Sequence, residues 1–99
     1  MRLKAKVDTN HRQIVARLRA HGASVANTHT VGSGFPDCAV GYRGKTYLVE
    51  IKDGDKPPSA RKLTPDEQRW HDEWRGHVEI ICDEVGVDLF MLKLRENGL

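Results

Sequence analysis

Two β-rich runs, CAVGY (38–42) and KTYLVEIK (45–52), flank Arg43 and Gly44, and no other stretch limits the fold as much. Alternating apolar residues on either side of a glycine-bearing dipeptide fold back as an antiparallel hairpin. In the second run Val49 and Ile51 alternate with Glu50 and Lys52. Successive side chains of a strand point to opposite faces, so Val49 and Ile51 share one face and Glu50 and Lys52 the other. Taken alone, that pattern describes a half-buried strand with an ion pair on its wet side. A turn centred between Arg43 and Gly44 sets Tyr42 opposite Lys45, Val40 opposite Tyr47 and Cys38 opposite Val49, with Asp37 opposite Glu50 as the next pair. Arg43 is a poor first residue for a two-residue type I′ turn. A four-residue loop keeps this register; a three-residue loop with a bulge shifts it.

Opposed residues of an antiparallel pair share a face, with Cβ atoms about 5 Å apart, and like charges there cost stability. A divalent cation turns that repulsion into chelation. Hard cations such as Mg²⁺ take carboxylate and carbonyl oxygens and water, so Asp37, Glu50 and the main-chain carbonyl of Ile51 are candidate ligands. A lysine beside them can orient or help deprotonate a water, or offset charge building on a phosphate. Asp37, Glu50 and Lys52 therefore make chemical sense as a site for hydrolysing a phosphodiester.

Around the hairpin, the apolar positions Ile14, Val15 and Leu18 predict a helix over residues 8–21, with Gly22 as its stop. Residues 24–29 read as a short strand, and GSGFP (32–36) as a turn-rich break. The polar stretch DGDKPPSARK (53–62) is a long loop, of a kind that is usually functional or mobile. LTPDEQRWHDEWRG (63–76) opens with Thr64 as cap, Pro65 in the first turn and Glu67 completing a capping box, and Gly76 ends it. Trp70 and Trp74, four apart, are expected in the core, with a base-stacking platform as the other reading. HVEIIC (77–82) is a last strand with Val78, Ile80 and Cys82 alternating, and VDLFMLKL closes the chain as an apolar helix. The expected fold is α/β, a mixed β-sheet flanked by helices in the order α-β-β-β-α-β-α.

Ninety-nine residues suit a single domain spanning 1–99. No apolar run approaches the roughly 20 residues of a membrane span, and the basic start MRLKAKVDTN lacks the apolar stretch of a signal peptide. Two cysteines are too few for a disulfide framework and read as buried thiols in a reducing, cytoplasmic compartment. The five histidines lack zinc-site spacing, and nothing in their positions requires His11 or His29 to approach the carboxylates. A net charge of +2 excludes a strongly basic arm that binds nucleic acid through bulk charge. Lys56, Arg61 and Lys62 nonetheless cluster as candidate nucleic-acid contacts, or as plain solvated charges; Arg12, Arg17 and Arg19 lie elsewhere.

Pro36-Asp37 followed by Glu50-Ile51-Lys52 resembles the PD-(D/E)XK nuclease superfamily with its restriction-endonuclease-like core. The wider string GSGFPDCAVGYRGKTYLVEIKDG with LTPDEQRWHDEW resembles the stand-alone VRR-NUC type, frequent in phage and bacterial genomes and related to archaeal Holliday-junction resolvases. The resemblance implies a Mg²⁺-dependent DNA endonuclease (Mn²⁺ substituting) that leaves a 5′-phosphate, with Asp37 and Glu50 on the metal and Lys52 serving the attacking water. Gln68 matches a glutamine that this branch keeps near the site; it also reads as an ordinary exposed helix residue. Many members place a glutamate on the first helix, where this chain has DTNHRQI (8–14). Asn10 is the first candidate in its place, Gln13 the next, and Asp8 a cap.

No base-reading motif accompanies the core, so branched or junction DNA is the expected substrate, with RNA left open. Paired cuts require two sites, and resolvase-like relatives set them across a two-fold axis. A homodimer is therefore expected through apolar residues of VGVDLFMLKL (85–94), Phe90 and Leu94 among them, unless that stripe completes the monomer core. Two other readings are a nuclease-like module that binds without cutting, and a phage assembly protein.

Overall fold

The computed structural model describes residues 10–98. The elements run α1 (His11–Ala20), β1 (Ser24–Asn27), β2 (Cys38–Tyr42), β3 (Lys45–Ile51), a 3-10 turn (Pro58–Ala60), α2 (Pro65–Glu73), β4 (Val78–Ile81) and α3 (Glu84–Asn97). This is the expected order. The strands form one sheet in the order β1-β2-β3-β4, with β1, β2 and β3 antiparallel and β3–β4 parallel. A parallel pair needs a crossover, and α2 supplies it. Asp8, read as a cap, lies outside the described residues; Asn10 stands at the helix start instead.

The hairpin register is the expected one, from Tyr42↔Lys45 through Val40↔Tyr47 to Cys38↔Val49. The turn is two residues, with φ +50° at Arg43 and +79° at Gly44, the signature of type I′. Glycine adopts that conformation without penalty and arginine does not. Arg43 is held there by two contacts: its guanidinium lies 5.2 Å from the Tyr42 ring centroid, and Nη1 donates to the Arg95 carbonyl at 3.2 Å.

α1 and α3 cover one sheet face. Ile14, Val15 and Leu18 meet Val87, Phe90, Met91 and Leu94 over Cys38, Val40, Val49, Ile51 and Ile81. Three expectations change. Ile81, not Ile80, enters the core (2% against 46% exposed), because parallel pairing sets Ile81 beside Ile51 and Ile80 beside Glu50. Trp70 and Trp74 stay out of the core, and α2 contributes no buried residue to it. Residues Tyr47 to Ile51 are all buried, so β3 has no wet side at Glu50. α1 and α3 cover one face there, and on the other the first turn of α2 arrives.

Candidate active site

The β2–β3 ladder runs out at Cys38↔Val49, one residue short of Asp37. Beyond it Asp37 Oδ2 accepts the Ile51 N–H at 2.8 Å, supplying the partner that a buried strand-end amide requires. The loop behind is fixed by Thr28, whose N–H donates to the Asp37 carbonyl and whose Oγ1 donates to the Pro36 carbonyl, both at 2.8 Å. Lys52 N–H donates to the Ile81 carbonyl in β4. Peptide groups alternate along a strand, so the Ile51 N–H and C=O both leave on Asp37's side.

Glu50 is 2% exposed, and its Oε1 is buried with no hydrogen-bond partner. Burial first, then the carboxylates of Asp37 and Glu67, push the Glu50 carboxyl far above its ordinary range. Lys52 Nζ stands 3.8 Å from Glu50 Oε2 but donates to Glu67 Oε1 at 2.7 Å. Glu67 is the residue that sequence reasoning saw only as a cap. The box is formed: Thr64 N–H donates to Glu67 Oε1 at 2.9 Å, and Glu67 N–H donates to Thr64 Oγ1 at 3.2 Å. Burial alone would raise the Glu67 carboxyl; the hydrogen bonds from Lys52 and the Thr64 N–H outweigh it, and the group lies below its ordinary value. The sequence signal was its place beside Gln68, on the turn where the crossover returns to the end of β3.

Among solved structures the chain is similar to one described as a VRR_NUC domain, with a TM-score of 0.60 and 29% identity over 89% of this chain and 91% of that one. The chain has the fold of a VRR-NUC-type domain. No family model and no curated protein matches it.

Asn10, the first candidate in place of the first-helix glutamate, stands at the N-terminus of α1. Its Nδ2 donates to the carbonyls of Lys52 (3.0 Å) and Cys82 (2.7 Å), which ties the ends of β3 and β4 together, while Oδ1 is buried without a partner. Gln13 lines an adjoining cleft with Asn10, Asp53 and Asp83. Gln68 is exposed and donates to Asp72 Oδ1 at 2.8 Å, so it does not join the Lys52 cluster. Lys56 and Lys62 are exposed on the loop that leaves Lys52, and Arg61 there is half-buried, its Nε donating to the Lys56 carbonyl at 2.8 Å. His11 and His29 meet edge to face at 5.5 Å, with His11 Nε2 at 3.0 Å from Asn27 Oδ1. Cys38 faces the core, and burial pushes its thiol up to about 12, which removes it as a nucleophile.

Among the described residues no three His, Cys, Asp or Glu side chains gather into a metal-binding group. The candidate ligand set is two carboxylates and a main-chain carbonyl, all hard oxygens of the kind Mg²⁺ takes. The orphaned Glu50 Oε1, in a carboxyl whose charge is opposed by burial and by two neighbouring carboxylates, is what a cation would relieve. The residues fit a divalent ion.

Proposed function

We propose that this VRR-NUC-type domain is a divalent-cation-dependent nuclease that hydrolyses phosphodiesters in branched or junction DNA. The carrying observation is a buried Glu50 with an unpartnered Oε1, beside Asp37 and Lys52 at the ends of β2 and β3. Asp37, Glu50 and the Ile51 carbonyl would hold Mg²⁺, with Mn²⁺ as its substitute. A bound Mg²⁺ supplies positive charge to the scissile phosphate and acidifies water near it. Lys52, an ammonium paired with Glu67 at 2.7 Å, serves as a donor and positive charge, orienting the attacking water and offsetting charge on the phosphate. Asp37, through the Ile51 N–H, keeps the strand end and its carbonyl in place. Lys56, Arg61 and Lys62 line the strand's approach as phosphate contacts, and in-line attack leaves a 5′-phosphate.

Paired cuts need two such sites, and the proposed working unit is a homodimer. Phe90 and Leu94 are 1% and 2% exposed and belong to the core. The apolar stripe left for a second copy is Val85, Leu89 and Leu92, at 65%, 56% and 42% exposure on the outer side of α3.

A panel of linear duplex, flap, nicked duplex and four-way junction, in DNA and in RNA, with Mg²⁺ or Mn²⁺, tests this reading. Metal-dependent cleavage that is greatest on branched DNA is the expected result. Binding without cleavage of any substrate would make the domain a recognition module, and neither binding nor cleavage would leave the assembly-protein reading.

A further inference from the structure

An aromatic ladder runs outward from the candidate site, and nothing in the proposed reaction uses it. Trp70 stacks on Trp74 with ring centroids 4.6 Å apart and 19° between planes, and Phe35 meets Trp70 edge-on at 5.3 Å. The inner members are tied to the site by two separate elements. Phe35 stands two residues before Asp37, and Trp70 is one helical turn beyond Glu67. Gly34 (φ +82°) permits the seating, since a Cβ there would run into the Asp66 carbonyl at the start of α2. At the outer end Trp74 is 42% exposed and outside the hydrophobic core. Gly76 lies along its edge, where a Cβ would come within 2.8 Å of Nε1.

Along the helix axis Trp74 is about 10 Å from Glu67 at 1.5 Å per residue, or roughly three nucleotides at ~3.4 Å spacing. Charge near the outer ring is mixed: Arg75 is exposed, but so are Asp72 and Glu73. A surface of that kind does not track phosphates, whereas an indole face offers every base a stacking partner. We infer that Trp74, braced by Trp70 and Phe35, is a stacking platform for an unpaired base of the nucleic-acid strand that the candidate site engages. The inference rests on the nuclease reading for the strand's presence, and it adds which part of the strand must be single.

The chain's two tryptophans are both in the ladder, so Trp70→Phe leaves Trp74 as the sole emitter. In metal-free buffer, a short oligothymidylate is expected to quench that emission, and the same strand lacking its bases is not. Trp74→Ala in the otherwise unaltered chain should weaken oligothymidylate binding by about 5- to 150-fold, the range measured for one stacked base. Its ratio of affinities for the intact and base-free strands should fall toward one. The loss should be the same at low and high salt, whereas the loss in Lys56→Ala/Lys62→Ala should shrink as salt rises. Equal quenching by the base-free strand, or a Trp74→Ala loss that tracks salt, would overturn the platform. So would Trp74 emission that shifts with protein concentration alone, which would give the surface to a second copy. Cleavage failing on every substrate while base-dependent quenching persists would remove the nuclease reading and leave the platform standing. Cleavage without base-dependent quenching would do the reverse.

Discussion

Glu50 sits where an ionised carboxyl costs most: 2% exposed, with Asp37 and Glu67 beside it. Glu50→Gln keeps the shape and removes the cost of either burying that charge or taking up a proton to avoid it, so the metal-free variant should melt at least about 4 °C above the metal-free parent, the shift expected for ~1 kcal/mol in a domain of this size. Added Mg²⁺ should raise the parent's midpoint and leave that of Glu50→Gln unmoved, because ligand binding stabilises only a fold that holds the ligand. Cleavage should vanish in Glu50→Gln and in Asp37→Asn, whose amide oxygen can still accept the Ile51 N–H. Full metal-dependent activity in either variant would end the assignment of these carboxylates. Lys52 tests differently, since its nitrogen touches Glu67 rather than the proposed ion. In Lys52→Ala calorimetry should find metal binding retained, with turnover down by ~10²-fold or more, the scale of a positioned electrostatic group. Metal affinity lost together with the lysine would make it a structural member of the site.

α2 shows one side chain serving two levels of structure. Thr64, Pro65 and Glu67 start the helix by local chemistry, and the same Glu67 carboxylate reaches across the crossover to Lys52. Two substitutions separate the roles. Glutamine at the third helical position still caps, so Glu67→Gln should keep the helix and release Lys52 to Glu50, changing turnover with little change in stability. Glu67→Ala loses the cap as well and should cost about 1 kcal/mol more, as Thr64→Ala should. Denaturant midpoints and turnover for the three variants settle which role dominates. Equal stability of the Gln and Ala variants would mean that the Glu67 side chain's half of the box contributes nothing.

At the scale of the molecule, α1 and α3 are clamped by Asp88, which accepts from Arg17 Nε and Nη2 at 2.9 and 2.8 Å and lies 2.7 Å from His21 Nε2. The hydrogen bond from Arg17, then that from His21, holds the Asp88 carboxyl well below the ordinary range. A depressed folded value means that the unfolded chain takes up the proton first. The clamp's contribution is therefore complete above an aspartate's usual value of about 4 and fades as pH falls below it. Urea midpoints followed from neutral pH into that acid range should fall for the parent more steeply than for Asp88→Asn; parallel curves would show that the clamp adds nothing. The outer face of α3 carries the dimer expectation. Light scattering should give twice 11.2 kDa for the parent, and Leu89→Lys or Leu92→Lys should return it to the monomer mass and reduce paired cuts on a four-way junction. A monomeric parent would leave Val85, Leu89 and Leu92 as ordinary surface.

Period-two alternation and a two-residue turn were enough to place Asp37 next to Glu50, because strand register depends on neighbours in the chain and on the turn between them. The capping box and the seating of Ile14, Val15 and Leu18 were legible for the same reason. What no local pattern carried was which faces are covered. The parallel β3–β4 pairing put Ile81 in the core instead of Ile80, and the packing of α3 took Phe90 and Leu94 inward while leaving Leu89 and Leu92 out. The return of α2 placed Glu67 on Lys52, 15 residues away, and left Trp70 and Trp74 outside the core. Asn10 reaches carbonyls 42 and 72 residues along the chain. Such contacts exist only once the crossovers close, since burial is a property of what stacks on a face. Glu50 lost its wet side in that way, and became a buried carboxyl with an oxygen to fill.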